Sequence, residues 1–413
     1  MKRFSIREPY STKNVGEDQA SPTAGSRLFV IRKHPLTMFV LGCILVSLGI
    51  FISGTGGSWD ITNHLLNKPE NFFSAPHAML YTGVASSIVG CAVMCRVHKS
   101  MHSSYQSFNT PTKLVIAGIA MLVIAGPVDF AWHSAFGLDG LLSPPHFVLL
   151  MGMVISSLGS LFGIILCTNR DKPNDGSDLE NVSCDRPSGI SGSLLFMRHY
   201  IAMILIIIGI MPIWLSLEGV IGMFSLPFSK TQYFDFNPDP SFAAVFATVS
   251  YPFLLSLILI SSFRMGKNSF GVISITGSIY LAVSALTVII PNESLILTLP
   301  FYILNLIPII AVDVLLSVSK HRFPHSIFLG GAILGSTFFM IQYPLITHIY
   351  NEVVTKQAFV WPSLTSSIYF GMIGNIYPLL VVPGVAMGIT GAIAANRIIA
   401  HRIQLHRKEQ GVS

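Results

Sequence analysis

Residues 36–54 read LTMFVLGCILVSLGIFISG, and residues 55–80 continue TGGSWDITNHLLNKPENFFSAPHAML. The first segment has no charged side chain. A helix rising 1.5 Å per residue needs about 20 such residues to cross about 30 Å of hydrocarbon, so this run is long enough to span a bilayer. The second segment starts polar and carries Asp60, His64 and His77 beside an apolar span.

Runs of the first kind recur. Beyond 36–54 they fall at 77–97, 113–129, 146–168, 199–217, 242–262, 270–290, 296–318, 325–346 and 366–396, which makes ten spans. Only 11% of the 413 residues are charged and 51% are hydrophobic. A soluble domain carries about 25% charged residues, so lipid is the surrounding medium. The fold class expected is an all-α integral membrane protein of about ten transmembrane helices. In the last run, Pro378, Pro383 and Gly384 mark an expected kink or break.

Lys and Arg set the orientation, because cytoplasmic loops are enriched in them. With ten spans both termini share a side, and placing them in the cytoplasm puts every basic residue there except Lys68, Lys230 and Lys356. The net charge of +6 is then a topology signal, and no nucleic-acid partner is expected. The expected location is a cell membrane, with the bilayer as the main partner and other membrane subunits as further ones.

Polar stretches divide the chain. Residues 1–35 read as a disordered cytoplasmic tail, 36–168 as a four-helix half, 169–198 as a cytoplasmic linker, 199–397 as a six-helix half and 398–413 as a basic cytoplasmic tail. The tail lacks the short basic region and the small-residue cleavage site of a secretory signal. The five cysteines lie in spans or on the cytoplasmic side, so no extracytoplasmic disulfide is expected.

Asp60, His64 and His77 recur as Asp129, His133 and His146, each 69 residues later. The same offset maps Gly49 onto Gly118, Ser74 onto Ser143, Pro76 onto Pro145, Leu80 onto Leu149, Gly83 onto Gly152, Ser87 onto Ser156 and Gly90 onto Gly159. The first four spans are therefore a helical hairpin duplicated in parallel. In each copy the acid ends an outgoing helix, and the first His lies one turn later on the same face if the helix persists. The second His follows a proline at the start of the returning helix. All three side chains then meet at the outer mouth of the hairpin.

Two imidazoles and a carboxylate on one side of a cation suit copper, zinc or iron, and the residue types do not choose among them. The alternative is a plain hydrogen-bond network at a helix end, with Trp59 and Trp132 in an aromatic belt. Asp60, His64, His77, Asp129, His133 and His146 are the candidate ligands of a divalent transition metal, and no catalytic residue is singled out.

The spacing Asp-x3-His-x12-His on those residues resembles a metal site in the C subunit of the copper membrane monooxygenases, which oxidise methane or ammonia. The resemblance covers the ligand positions only. It implies a copper or zinc site facing the outside, with Asp and both His as ligands. The family's subunit has one such triad and works beside separate A and B subunits, whereas this chain has two.

Other polar residues carry less. Glu218 ends the fifth span with no His one turn on, and the aromatic, Pro-rich loop after it suits packing over the membrane surface. His348 ends the ninth span as an interfacial His. Asp313, near the cytoplasmic end of the eighth span, is expected to pair with Lys320 or Arg322. His98 and His102 lack an acidic or thiol partner and read as solvated, and Cys91 and Cys95 as inert buried thiols. Phosphate loops, G-x-S-x-G elbows and HExxH motifs are missing, which disfavours the common ATPases, serine hydrolases and zincins. Three functions fit: a metal-dependent membrane oxidoreductase or a subunit of one; an intramembrane zinc-dependent hydrolase; and a metal or cation transporter or non-catalytic assembly subunit. The sequence leaves open whether the chain is an enzyme.

Overall fold

A computed structural model describes residues 35–65, 68, 73–100, 107–137, 142–170, 190–225, 240–319, 325–338, 341 and 381–401. The helices are α1 (Pro35–Leu65), α2 (Ala75–Ser100), α3 (Asn109–Phe136), α4 (Pro144–Arg170), α5 (Ile190–Ser225), α6 (Pro240–Met265), α7 (Val272–Ile289), α8 (Leu299–Val318), α9 (Ser326–Ile333) and α10 (Val381–His401). A 3₁₀ segment, Glu293–Thr298, precedes α8, and a π-helical turn, Leu334–Phe338, continues α9. Among the described residues there is no strand, and nine helices, all but α9, are long and apolar enough to cross a membrane. The protein is an all-α, multi-pass membrane protein.

Several boundaries differ from the sequence reading. Helix α1 runs to Leu65 and α3 to Phe136, about three turns and two turns beyond their expected span ends. Both helices therefore persist past their acid, and Asp60 shares a helix with His64 as Asp129 does with His133. The linker expected at 169–198 is shorter, because α4 reaches Arg170 and α5 begins at Ile190. The sequence ISGSLLFMR explains the second shift, since Leu194 to Met197 extend the apolar run of α5 outward. The described part of α10 runs Val381–His401 and includes Pro383 and Gly384, while Pro378 and the start of the run expected at 366–396 lie outside the described residues. The tail 1–34, His102, Lys320, Arg322, His348 and 366–380 lie outside the described residues.

Each hairpin of the four-helix half is held by small residues. Lipid gives helices no hydrophobic reason to associate, so close backbone approach has to supply the contact. A Cβ added to Gly49 would lie 2.5 Å from the Gly83 carbonyl oxygen, and one added to Gly118 would lie 2.5 Å from that of Gly152. Ser87 and Ser156 stand beside these glycines in the two copies. The returning helices also start alike: Ser74 C=O accepts the Ala78 N–H at 2.9 Å, and Ser143 C=O accepts the Phe147 N–H at 3.0 Å. The residues related by the 69-residue offset thus occupy the same packing positions.

Between hairpins, Ser47 and Ser160 share a hydrogen bond of 2.8 Å. One apolar core, with Phe39, Val46, Met94, Val115 and Ile164, fills the four-helix half. A second, around Trp214, Tyr251, Tyr280 and Ile309, fills α5 to α8. The halves meet at several points, among them Gly209 of α5 on Leu161 of α4. Gly54 of α1 faces Leu215 of α5, Gly219 of α5 faces Leu150 of α4, and Ser58 donates to Thr287 at 3.3 Å. Lys68 donates to the Pro291 carbonyl, so its ammonium is directed to the connection after α7.

Asp313 has partners that the sequence reading did not foresee, while its expected partners Lys320 and Arg322 lie outside the described residues. Its fully buried Oδ2 accepts the Gly271 N–H at 3.0 Å, the Ser274 N–H at 2.9 Å and the Ser274 hydroxyl at 2.6 Å. An acid on α8 thereby caps the N-terminus of α7, satisfying orphan amides and meeting the positive end of the helix dipole.

Candidate metal centre

The second hairpin brings its three predicted ligands together. Asp129 and His133 sit one turn apart near the end of α3, and His146 is the third residue of α4. His146 is steadied by its N–H, which donates to Ser143 Oγ at 3.4 Å. Asp129 Oδ1 lies 3.2 Å from His146 Nε2 and 3.5 Å from His133 Nε2, and the two Nε2 atoms are 3.4 Å apart. Each side chain is about a quarter exposed, so the cluster opens to the rim.

Those edges decide what the cluster can hold. Metal–nitrogen bonds of about 2.0–2.1 Å at tetrahedral angles put neighbouring donor atoms about 3.3 Å apart, whereas right-angled octahedral geometry needs about 2.9 Å. All three edges fall within about 0.2 Å of the tetrahedral value. A point equidistant from the three atoms lies about 1.9 Å from each in their plane, so a cation slightly above that plane reaches every donor at bonding distance. One face then remains open.

The tautomer of His133 points the same way. Its Nδ1 lies 3.2 Å from the Gly137 carbonyl oxygen. That oxygen can only accept, so Nδ1 carries the hydrogen, and in a neutral ring Nε2 is a lone pair. The lone pair faces an acidic oxygen and a second imidazole nitrogen, where either an Nε2–H of His146 or a metal ion would satisfy it. An Nδ1–H bound to a carbonyl is also the outer support that orients metal-ligating histidines. Gly137 makes the support available. It ends α3 at φ 76°, ψ −170°, a conformation confined essentially to glycine, and its N–H returns to His133 C=O.

In the first hairpin, Asp60 Oδ1 lies 2.9 Å from His77 Nε2. His64 is in α1 one turn after Asp60, but its side chain lies outside the described residues. Two of the three predicted partners are therefore together, and the second hairpin holds the one complete cluster among the described residues.

No protein-family model, curated protein or solved structure matches the chain.

One residue of the rim escaped the sequence reading. Tyr81, one turn after His77 on α2, has its ring centroid 6.1 Å from that of His77 and lies within electrostatic reach of both Asp60 and Asp129. The two acid–histidine clusters are therefore neighbours on one rim. Tyr81 breaks the repeat, since the offset places Leu150 at its counterpart. The i, i+4 spacing from His77 was the only signal that could have found it.

Proposed function

We propose that the protein holds a divalent transition metal at an extracytoplasmic rim and serves as a metal-dependent membrane oxidoreductase, or as a subunit of one. The observation that carries this reading is the triangle of Asp129 Oδ1, His133 Nε2 and His146 Nε2, whose edges match a three-ligand, open-faced site. Asp60, His64 and His77 would form a second site of the same kind. The resemblance of both triads to the C-subunit pattern of the copper membrane monooxygenases favours copper, and the excess of basic residues on the opposite side favours the outer face.

The residues have separable tasks. Asp129 supplies the negative charge, and the imidazoles of His133 and His146 supply two neutral donors. Gly137 C=O holds the His133 ring, and Ser143 Oγ fixes the backbone of His146. When bound, copper would supply one-electron chemistry at the open face. Tyr81, 38% exposed, presents a hydroxyl-bearing ring to the space between the clusters. The six-helix half frames the rim, and any further membrane subunits would dock beside it.

A second reading draws on the same triangle, because three protein ligands with a free tetrahedral position also describe hydrolytic zinc, which lowers the pKa of bound water to about 7. Purified protein loaded with copper and cycled between ascorbate and oxygen separates the two. A copper paramagnetic signal that disappears and returns in wild type, and is lost in His146→Ala, supports the oxidoreductase. Failure to retain copper, with zinc bound tightly instead, rejects it in favour of the hydrolase.

A further inference from the structure

The six-helix half carries an acid that the metal reading does not use. Glu218 lies on α5, where its neighbour Gly219 packs on Leu150 of α4 and Leu215 packs on Gly54 of α1. It therefore sits at the junction of the two halves. Leu150 is one helical turn inward from His146, so the acid lies below the metal rim, within the apolar part of the bundle.

Its surroundings are aromatic. Tyr280 of α7 donates its hydroxyl to Glu218 Oε1. Trp214, one turn before Glu218 and on the same face of α5, stacks flat on Tyr280 with centroids 4.1 Å apart at 9°. Trp214 and Tyr280 are almost completely buried. The stem of Glu218 is partly exposed, but Oε2 is sealed from solvent and has no hydrogen-bond partner among the described residues, and the same holds for Trp214 Nε1. The ionisable groups facing the acid are Tyr280 from α7 and Tyr302 from α8, with Tyr251 of α6 behind Tyr280. Helices α1 and α4 reach α5 beside the acid, Gly54 at Leu215 and Leu150 at Gly219, and no described Lys, Arg or His pairs with the carboxyl.

An ionised carboxylate here would have one hydroxyl donor and no counter-charge among the described residues, and a sealed, unpaired charge carries a large desolvation penalty. Taking up a proton removes that penalty while Tyr280 still donates to Oε1. We propose that Glu218 is a proton-binding site between the two halves, taking a proton on Oε2 while Tyr280 donates to Oε1. Ionisable groups at membrane depth commonly mark proton or ion paths, and this one gives the six-helix half an acid–base role beneath the rim. The inference does not depend on the metal reading.

Infrared spectroscopy of the full chain in lipid nanodiscs, freed of metal, tests it. The expected result is a protonated-carboxyl C=O stretch at neutral pH that moves to lower frequency in D₂O, disappears in Glu218→Gln and remains in Asp313→Asn. Tyr280→Phe should keep the band and raise its frequency, because one hydrogen bond to the carbonyl oxygen is lost. If Glu218→Gln fails to fold, the response to Tyr280→Phe assigns the band. A folded wild type without the band at neutral pH, or a band unmoved by both Glu218→Gln and Tyr280→Phe, overturns the proposal.

Discussion

Replacing Gly137 by alanine separates the helix end from the metal site. Gly137 holds φ 76° and ψ −170°, so a Cβ there costs about 1–3 kcal/mol in backbone strain. Among the described residues no atom lies within 4 Å of the position an added Cβ would take, so no clash with them compounds the strain. The chain can relieve the strain only by turning the peptide that bears the carbonyl bonded to His133 Nδ1. Losing that outer support is expected to weaken metal binding by about 10–100-fold, or about 1.4–2.7 kcal/mol. The assay is a chelator-competition titration in nanodiscs, with a thermal melt of the metal-free protein beside it. Gly126→Ala, in the same helix and also with nothing within 4 Å, is the control and should be neutral or stabilising by about 0.5–1 kcal/mol. If Gly137→Ala lowers the melting temperature but leaves metal affinity at the wild-type value, the His133 orientation argument is wrong.

Other consequences follow from the same geometry. Metal affinity should be lower in acid than at neutral pH, because protons compete with a metal for imidazole nitrogen lone pairs; the same titration repeated at both checks this, and equal affinities count against histidine ligation. Gly118→Val should destabilise the second hairpin by about 1–3 kcal/mol or more, since its Cβ would sit 2.5 Å from Gly152 O and Ser156 N; equal unfolding midpoints for the variant and wild type would contradict the packing. Asp313→Ala should cost about 1–3 kcal/mol by stripping the cap from α7, with Asp313→Asn milder because one oxygen acceptor remains; loss of hydrogen-exchange protection confined to residues 271–275 is the expected signature.

The sequence exposes what is local. Span existence follows from apolar run length, and the triads follow from one-turn spacing and a prolyl helix start, both readable from neighbouring residues. The 69-residue repeat was legible because Gly49 and Gly118 need small partners at matching places. Long-range pairings were not legible. Asp313 was read only against its chain neighbours Lys320 and Arg322, which lie outside the described residues, and its cap on a helix about forty residues earlier was not foreseen. Glu218 read as the end of a span without a histidine, and its partner Tyr280 is 62 residues on. Tyr81 was hidden because it departs from the repeat that revealed the other rim residues. The C-terminal ends of α1 and α3 were placed too early, since hydropathy falls at Ser58 and Pro127 while the backbone stays helical.

Metal content of the detergent-purified protein, counted by mass spectrometry after exposure to copper, zinc and iron in turn, tests the central claim most directly. At least one ion per chain is expected in wild type, with one fewer in His133→Ala and in Asp129→Asn at unchanged helical content. A folded wild type that stays empty after every metal, or a His133→Ala variant that keeps the full wild-type count, would contradict the account.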